Sequence, residues 1–111
     1  MSASTRITNN TGGIIKFTSI SQVNDDATWD VQPGVGNIIQ NGESCLISMG
    51  NSSFFPKGVG FNATFVDSDL SIGKVYLDDP AVGTHHFTTG GDFKFDIQNP
   101  SGNTYLVNVT K

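Results

Sequence analysis

Apolar and polar residues alternate with a period of two along most of this chain. The pattern is clearest near the C-terminal end, where Phe93, Phe95 and Ile97 alternate with polar residues, and it returns between Tyr105 and Val109. A period of two sends successive side chains to opposite faces, which is typical of a β-strand with one face in a core. These two runs therefore predict two half-buried strands.

The five residues between these runs have the composition of a turn. Pro100 presets a turn-compatible backbone angle, and Gly102 tolerates the left-handed conformation that closes a short hairpin loop. The two runs are therefore predicted to form a β-hairpin. Because a lone hairpin is marginally stable in water, the rest of the chain must cover its apolar face.

The remainder of the chain predicts further short strands and no amphipathic helix. Asn41 and Gly42 form the strongest two-residue hairpin signal, and residues 78–83 are predicted to be a loop. Eight to ten short strands at this spacing predict an all-β fold, an antiparallel β-sandwich of the jelly-roll kind, with residues 1–111 as one domain. The other predicted strands are residues 5–9, 14–20, 27–31, 44–49, 61–66, 71–77 and 85–89.

Charge and cysteine content narrow the class of partner. The chain has 6 basic and 10 acidic residues, a net charge of −4, and no run of Lys or Arg, so it lacks the basic surface that nucleic acids require. Cys45 is the single cysteine and cannot form an internal disulfide. No apolar stretch has the length of a transmembrane segment. Residues 1–6 lack the apolar region of a signal peptide, which predicts a cytoplasmic protein or one secreted by another route.

The motifs of the common enzyme classes are missing, so the chain is not predicted to be an enzyme. There is no nucleophile elbow, no pair of histidines at helical spacing with a Glu, and no glycine-rich loop that opens a helix. No cofactor is implied by these patterns.

Acidic residues in predicted loops suggest one metal hypothesis. Loops of a sandwich gather at its two ends, so carboxylates from two of them could converge on a calcium ion, which needs several oxygen ligands. Solvated acidic residues that start turns are the simpler explanation of the same pattern. The candidate ligands are Asp67, Asp69, Asp78 and Asp79, with Asp25 and Asp26 in a further acidic pair.

Aromatic residues give the candidate binding site. Trp29 and Asp30 would offer a flat ring beside a hydrogen-bonding group, which is the chemistry that a sugar needs, although a lone Trp in a small sandwich is often part of the core. Phe54 and Phe55 cannot both point inward from an extended segment, so at least one is expected at the surface. Asn51, in the same predicted loop, is the fifth candidate contact.

The order of several segments resembles the layout of small fungal and bacterial β-sandwich proteins of the aegerolysin and actinoporin-like kind. The segments are residues 7–12 (ITNNTG), Trp29 with Pro33, Ile39 with Asn41 and Gly42, residues 58–60 (GVG), and Asn99 to Asn103. Those families include cytolysins and fruit-body lectins, so the resemblance implies recognition of a cell surface. This chain departs from them in lacking an amphipathic N-terminal helix and an aromatic cluster, which argues against pore formation.

Three hypotheses about function follow. The first is a lectin-like module that binds glycans, with avidity from a homo-oligomer because a single shallow sugar site is weak. The second is a binder of lipid headgroups that inserts Phe54 and Phe55. The third is a structural or self-associating protein. The shortage of basic residues favours glycans over anionic lipids.

Overall fold

Ten β-strands and no helix make up the structure, a computed structural model that describes residues 1–111. The absence of helix confirms the all-β prediction. The strands are β1 (Ser2–Asn9), β2 (Ile15–Gln22), β3 (Thr28–Val31), β4 (Ile38–Ile39), β5 (Ser44–Gly50), β6 (Gly58–Asp67), β7 (Ile72–Pro80), β8 (His86–Gly91), β9 (Lys94–Ser101) and β10 (Thr104–Thr110).

The strands form two five-stranded sheets that face one another. The first sheet has the order β3-β5-β1-β10-β9, and the second has the order β4-β2-β6-β7-β8. Neighbouring strands are antiparallel except for β1 and β10, which run parallel at the centre of the first sheet. The predicted sandwich is thus confirmed, with one parallel pair inside it.

The core between the sheets consists of 18 buried apolar residues. Phe65 on β6 lies near its middle, with ring centroids 6.1 Å from Phe17, 5.2 Å from Phe93 and 6.3 Å from Phe95. Gly73 on β7 faces this ring, and a Cβ at that position would overlap it. Close packing of this kind explains which face of β7 is inside, a point on which its sequence pattern is neutral.

The C-terminal hairpin forms as predicted from β9 and β10. Tyr105, Val107 and Val109 are all buried, whereas burial decreases from Phe93, just before β9, to Ile97 on β9, which is 38% exposed. β9 is the edge strand of its sheet, so the facing sheet covers it incompletely.

The predicted hairpin at Asn41 and Gly42 is wrong. β4 belongs to the second sheet and β5 to the first, so the turn carries the chain between sheets instead of pairing two strands. Gly42 does adopt the left-handed conformation, with φ of 86°, and its N–H donates to the Asn9 carbonyl at 2.6 Å. The tight turn itself forms as predicted, but a tight turn does not specify which sheet the next strand joins.

Asn9, at the end of β1, holds this crossover together. Its side chain is fully buried, and Nδ2 donates to the carbonyls of Gly13 (2.8 Å) and Ile39 (2.9 Å). Oδ1 accepts hydrogen bonds from the Thr11 N–H (3.0 Å) and the Thr11 hydroxyl (2.7 Å). One amide therefore connects β1 in the first sheet to β4 in the second.

The strand registers sort the loops between two ends of the sandwich. Gly58 pairs with Pro80, and Ser2 pairs with Gly50, so residues 23–27, 51–57 and 81–85 lie at one end. We call this the tip end. Residues 10–14, 40–43 and 68–71 lie at the opposite end.

Candidate functional site

The loop between β5 and β6 presents two aromatic rings to solvent at the tip end. Phe54 is 89% exposed and Phe55 is 84% exposed. The rings meet edge to face, with centroids 4.6 Å apart and planes at 87°. The expectation of a surface aromatic in this loop is met by both residues, which contact each other instead of the core.

The buried side chain of Asn51 holds this loop in place through hydrogen bonds. It is 5% exposed, and its Nδ2 donates to Asp26 Oδ1 and to the Gly58 carbonyl, each at 2.9 Å. Its Oδ1 accepts from the Ser53 N–H at 3.0 Å. The sequence predicts Asn51 as a ligand contact, and in the structure its amide also fixes the loop that carries Phe54 and Phe55.

Neighbouring segments also fix the base of the loop. The Lys57 N–H donates to Asp26 Oδ2 at 3.1 Å, and Lys57 Nζ forms an ion pair with Asp25 at 2.7 Å. The hydrogen bond from Lys57 lowers the pKa of Asp25. The Asn51 N–H donates to the Met1 carbonyl at 2.7 Å. The tip is therefore presented by a hydrogen-bonded frame.

A second apolar group lies on the adjacent loop. Val82 is 91% exposed, and the N–H of its neighbour Ala81 donates to the Lys57 carbonyl at 3.1 Å, which joins the two loops. We call Phe54, Phe55 and Val82 the apolar tip. Val82 was not among the residues predicted from the sequence. The available signal was its position in the predicted loop of residues 78–83, where an apolar side chain has little to bury it.

Trp29 and Asp30 lie on β3, the edge strand beside β5. Trp29 is half-buried and packs against the core, whereas Asp30 is exposed. Trp29 pairs with Met49, two residues before the loop that carries the apolar tip. Trp29 is therefore only partly exposed, and the exposed Asp30 follows it on the same edge strand.

The acidic candidates do not converge. No group of three or more His, Cys, Asp or Glu side chains is placed to hold a metal ion. Asp67 and Asp69 lie at the opposite end and form ion pairs with Lys111 at 2.5 and 3.1 Å. Asp78 and Asp79 are on β7 and not in the predicted loop, because β7 continues to Pro80 in its pairing with β6.

The Lys111 ion pairs predict an acid-sensitive contribution to stability. The hydrogen bond from Lys111 lowers the pKa of Asp67, so this contribution is present above the unfolded-state pKa and is lost as pH falls through the lower folded-state value. We expect Lys111→Ala to lower the melting temperature at pH 7. The difference in melting temperature between this variant and the unsubstituted protein should become smaller below about pH 4. Thermal unfolding measured between pH 7 and below about pH 4 tests this prediction, with Lys94→Ala as control. A difference in melting temperature that is the same at every pH would contradict it.

The structure contains no helical segment with the length and hydrophobicity of a membrane span.

Sequence comparison finds no matching protein-family model, and no curated protein matches the sequence. Solved structures match the fold. IP-1A from Alcaligenes faecalis is 16% identical, with a TM-score of 0.77 over 100% of this chain and 91% of that one. The RahU protein, solved with a TRIS molecule, is 12% identical, with a TM-score of 0.74 over 98% of this chain and 92% of that one.

A lectin shares the architecture as well. The Xerocomus chrysenteron lectin XCL is 12% identical, with a TM-score of 0.59 over 99% of this chain and 97% of that one. Identities this low show a common fold and nothing finer. The chain therefore has the β-sandwich fold that is found in IP-1A, in RahU and in the lectin XCL.

Proposed function

We propose that this protein is a non-enzymatic recognition module that binds lipid surfaces through its apolar tip. The observation that carries the proposal is the placement of exposed apolar residues. Val82, Phe54 and Phe55 are the three most exposed large hydrophobic residues of the chain, and all three lie at the tip end on two hydrogen-bonded loops. Exposed apolar groups gathered on one end of a monomer mark an interaction surface.

The energetics favour insertion into a membrane interface. Fully burying one Phe side chain contributes about 1.5–3 kcal/mol, and the frame around Asn51 already holds the loop, so little order must be gained on binding. The net charge of −4 opposes attraction to anionic lipids. Vesicles of a zwitterionic lipid are therefore the appropriate target.

The test is sedimentation with phosphatidylcholine vesicles. We expect the double variant Phe54→Ala, Phe55→Ala to bind at least about tenfold more weakly, since losing about 1.4 kcal/mol already gives that factor. Val82→Ala should have a smaller effect because it removes fewer apolar atoms. Val35→Ala is the matched control, because Val35 is 69% exposed but lies outside the tip loops.

Two results would contradict the proposal. One is vesicle binding that the double variant retains in full, and the other is an unsubstituted protein that does not sediment with vesicles. A large fall in the melting temperature of the double variant would show instead that the rings stabilise the fold.

Carbohydrate binding is the second candidate function. The partial exposure of Trp29 and the exposed neighbour Asp30 favour it, and XCL, which is similar in fold, is a lectin. Glycan binding at this position should be lost in Trp29→Ala. It should be weakened in Asp30→Asn, a substitution of an exposed residue that leaves the core intact. The Phe54→Ala, Phe55→Ala double variant should still bind the glycan. Retained binding in both Trp29→Ala and Asp30→Asn would exclude this position.

A further inference from the structure

A polar groove crosses the outer face of the first sheet, away from the apolar tip. Its volume is about 310 Å³, and it spans β1, β10 and β9. The side chains that matter for its chemistry are Arg6, Thr8, Asp96, Gln98, Leu106 and Asn108.

The strand registers arrange these side chains in two rows. Arg6 pairs with Leu106, and Leu106 pairs with Gln98. Thr8 pairs with Asn108, and Asn108 pairs with Asp96. Neighbouring strands are about 4.8 Å apart and successive rows on one face about 7 Å apart, so the six positions cover roughly 10 by 7 Å. A single pyranose ring fits within this area.

Hydrogen-bonding capacity in the groove is largely unused by the protein. The three ion pairs of the chain lie elsewhere, so neither Arg6 nor Asp96 is in a salt bridge. Arg6 spends one donor on Ser44 Oγ at 3.2 Å and has further N–H groups to offer. Asn108 Oδ1 accepts from Asn10 Nδ2 at 2.5 Å, which leaves its own NH₂ group free to donate.

The charges and the floor of the groove select the class of ligand. Arg6 and Asp96 carry opposite unit charges, so the lining is neutral and has no excess of cations for a phosphate or carboxylate. Donors on Arg6 and Asn108 together with acceptors on Asp96 suit hydroxyl groups, which both donate and accept. Leu106 lies on β10, the middle one of the three strands that line the groove, and is 39% exposed. It offers an apolar surface to the C–H face of a sugar ring.

We propose that this groove binds one sugar ring of a neutral carbohydrate. The site is separate from Trp29 and Asp30, which lie on β3 at the opposite edge of the first sheet from β9. It is also separate from the apolar tip, so a sugar and a lipid surface can be bound together. A shallow site for one ring gives weak binding, with a Kd on the order of 1 mM.

The experiment is a titration of ¹⁵N-labelled protein with the methyl glycosides of mannose, galactose and N-acetylglucosamine, followed by two-dimensional NMR. We expect at least one of them to cause saturable shifts in amides of β9 and β10. Asp96→Ala and Gln98→Ala should each weaken that binding, by about tenfold for Asp96→Ala because a charge-assisted hydrogen bond is lost. The spectrum of each variant shows directly that it is folded.

Lys94→Ala is the matched control, because Lys94 lies on the same strand and face, one row beyond Asp96. It should leave the affinity within about twofold. The proposal is overturned if none of the three glycosides gives saturable shifts, or if Asp96→Ala and Gln98→Ala both bind as tightly as the unsubstituted protein. It is also overturned if the Phe54, Phe55 double variant alone abolishes the shifts. Vesicle binding is read separately, so either proposal can fail without the other.

Discussion

Replacement of Phe65 by Ala is expected to lower the free energy of unfolding by about 3–5 kcal/mol. Phe65 has no exposed surface and contacts aromatic rings from β2, from β9 and from the residue before β9. Its removal would leave a cavity between the sheets, which the surrounding strands can fill only partly. Urea unfolding measured by Trp29 fluorescence gives the value directly.

Phe54→Ala is the matched control for this measurement. It is the same substitution at a side chain that is 89% exposed, so we expect a change within about 0.5 kcal/mol. Equal losses at Phe54 and Phe65 would mean that the assignment of core and surface is wrong.

Asn9→Ala is expected to lower the free energy of unfolding by about 2–3 kcal/mol, although it removes little apolar surface. The substitution deletes four hydrogen bonds and leaves the carbonyl of the buried residue Ile39 without this donor. Because Asn9 connects the two sheets, its loss should also loosen β4. Hydrogen exchange should then show faster exchange in β4 and in the adjoining part of β2.

Asn10→Ala serves as its control. Asn10 is the next residue and is exposed, and its side chain makes one hydrogen bond, to Asn108. We expect a change within about 0.5 kcal/mol. A loss at Asn9 no larger than this would show that water replaces its hydrogen bonds.

Local patterns were enough to predict most of the strands, because burial of one sheet face imposes a period of two wherever it occurs. They predicted the C-terminal hairpin because β9 and β10 are neighbours both in sequence and in the sheet. They failed at Asn41 and Gly42, since the strands on either side of that turn belong to different sheets. Turn preferences describe a few residues, whereas sheet membership depends on the whole chain.

The candidate sites show the same division. The adjacency of Phe54 and Phe55, which is a local property, was enough to predict that at least one of them lies at the surface. The hydrogen bonds of Asn51 could not be predicted, because its partners, Asp26 and Gly58, come from other segments. The groove on the first sheet was missed because Arg6 and Asp96 line one surface only through the registers of β1, β10 and β9.

The parallel pairing of β1 with β10 has a consequence for how the chain folds during synthesis. β1 and β10 are far apart in sequence, yet Ser4 pairs with Thr104 and Asn9 with Val109, so the centre of the first sheet stays open until β10 has left the ribosome. Contacts this distant in sequence slow folding. The edge of β1 that binds β10 can meanwhile pair with other chains. Slower translation would lengthen this interval and should therefore lower the yield of folded protein.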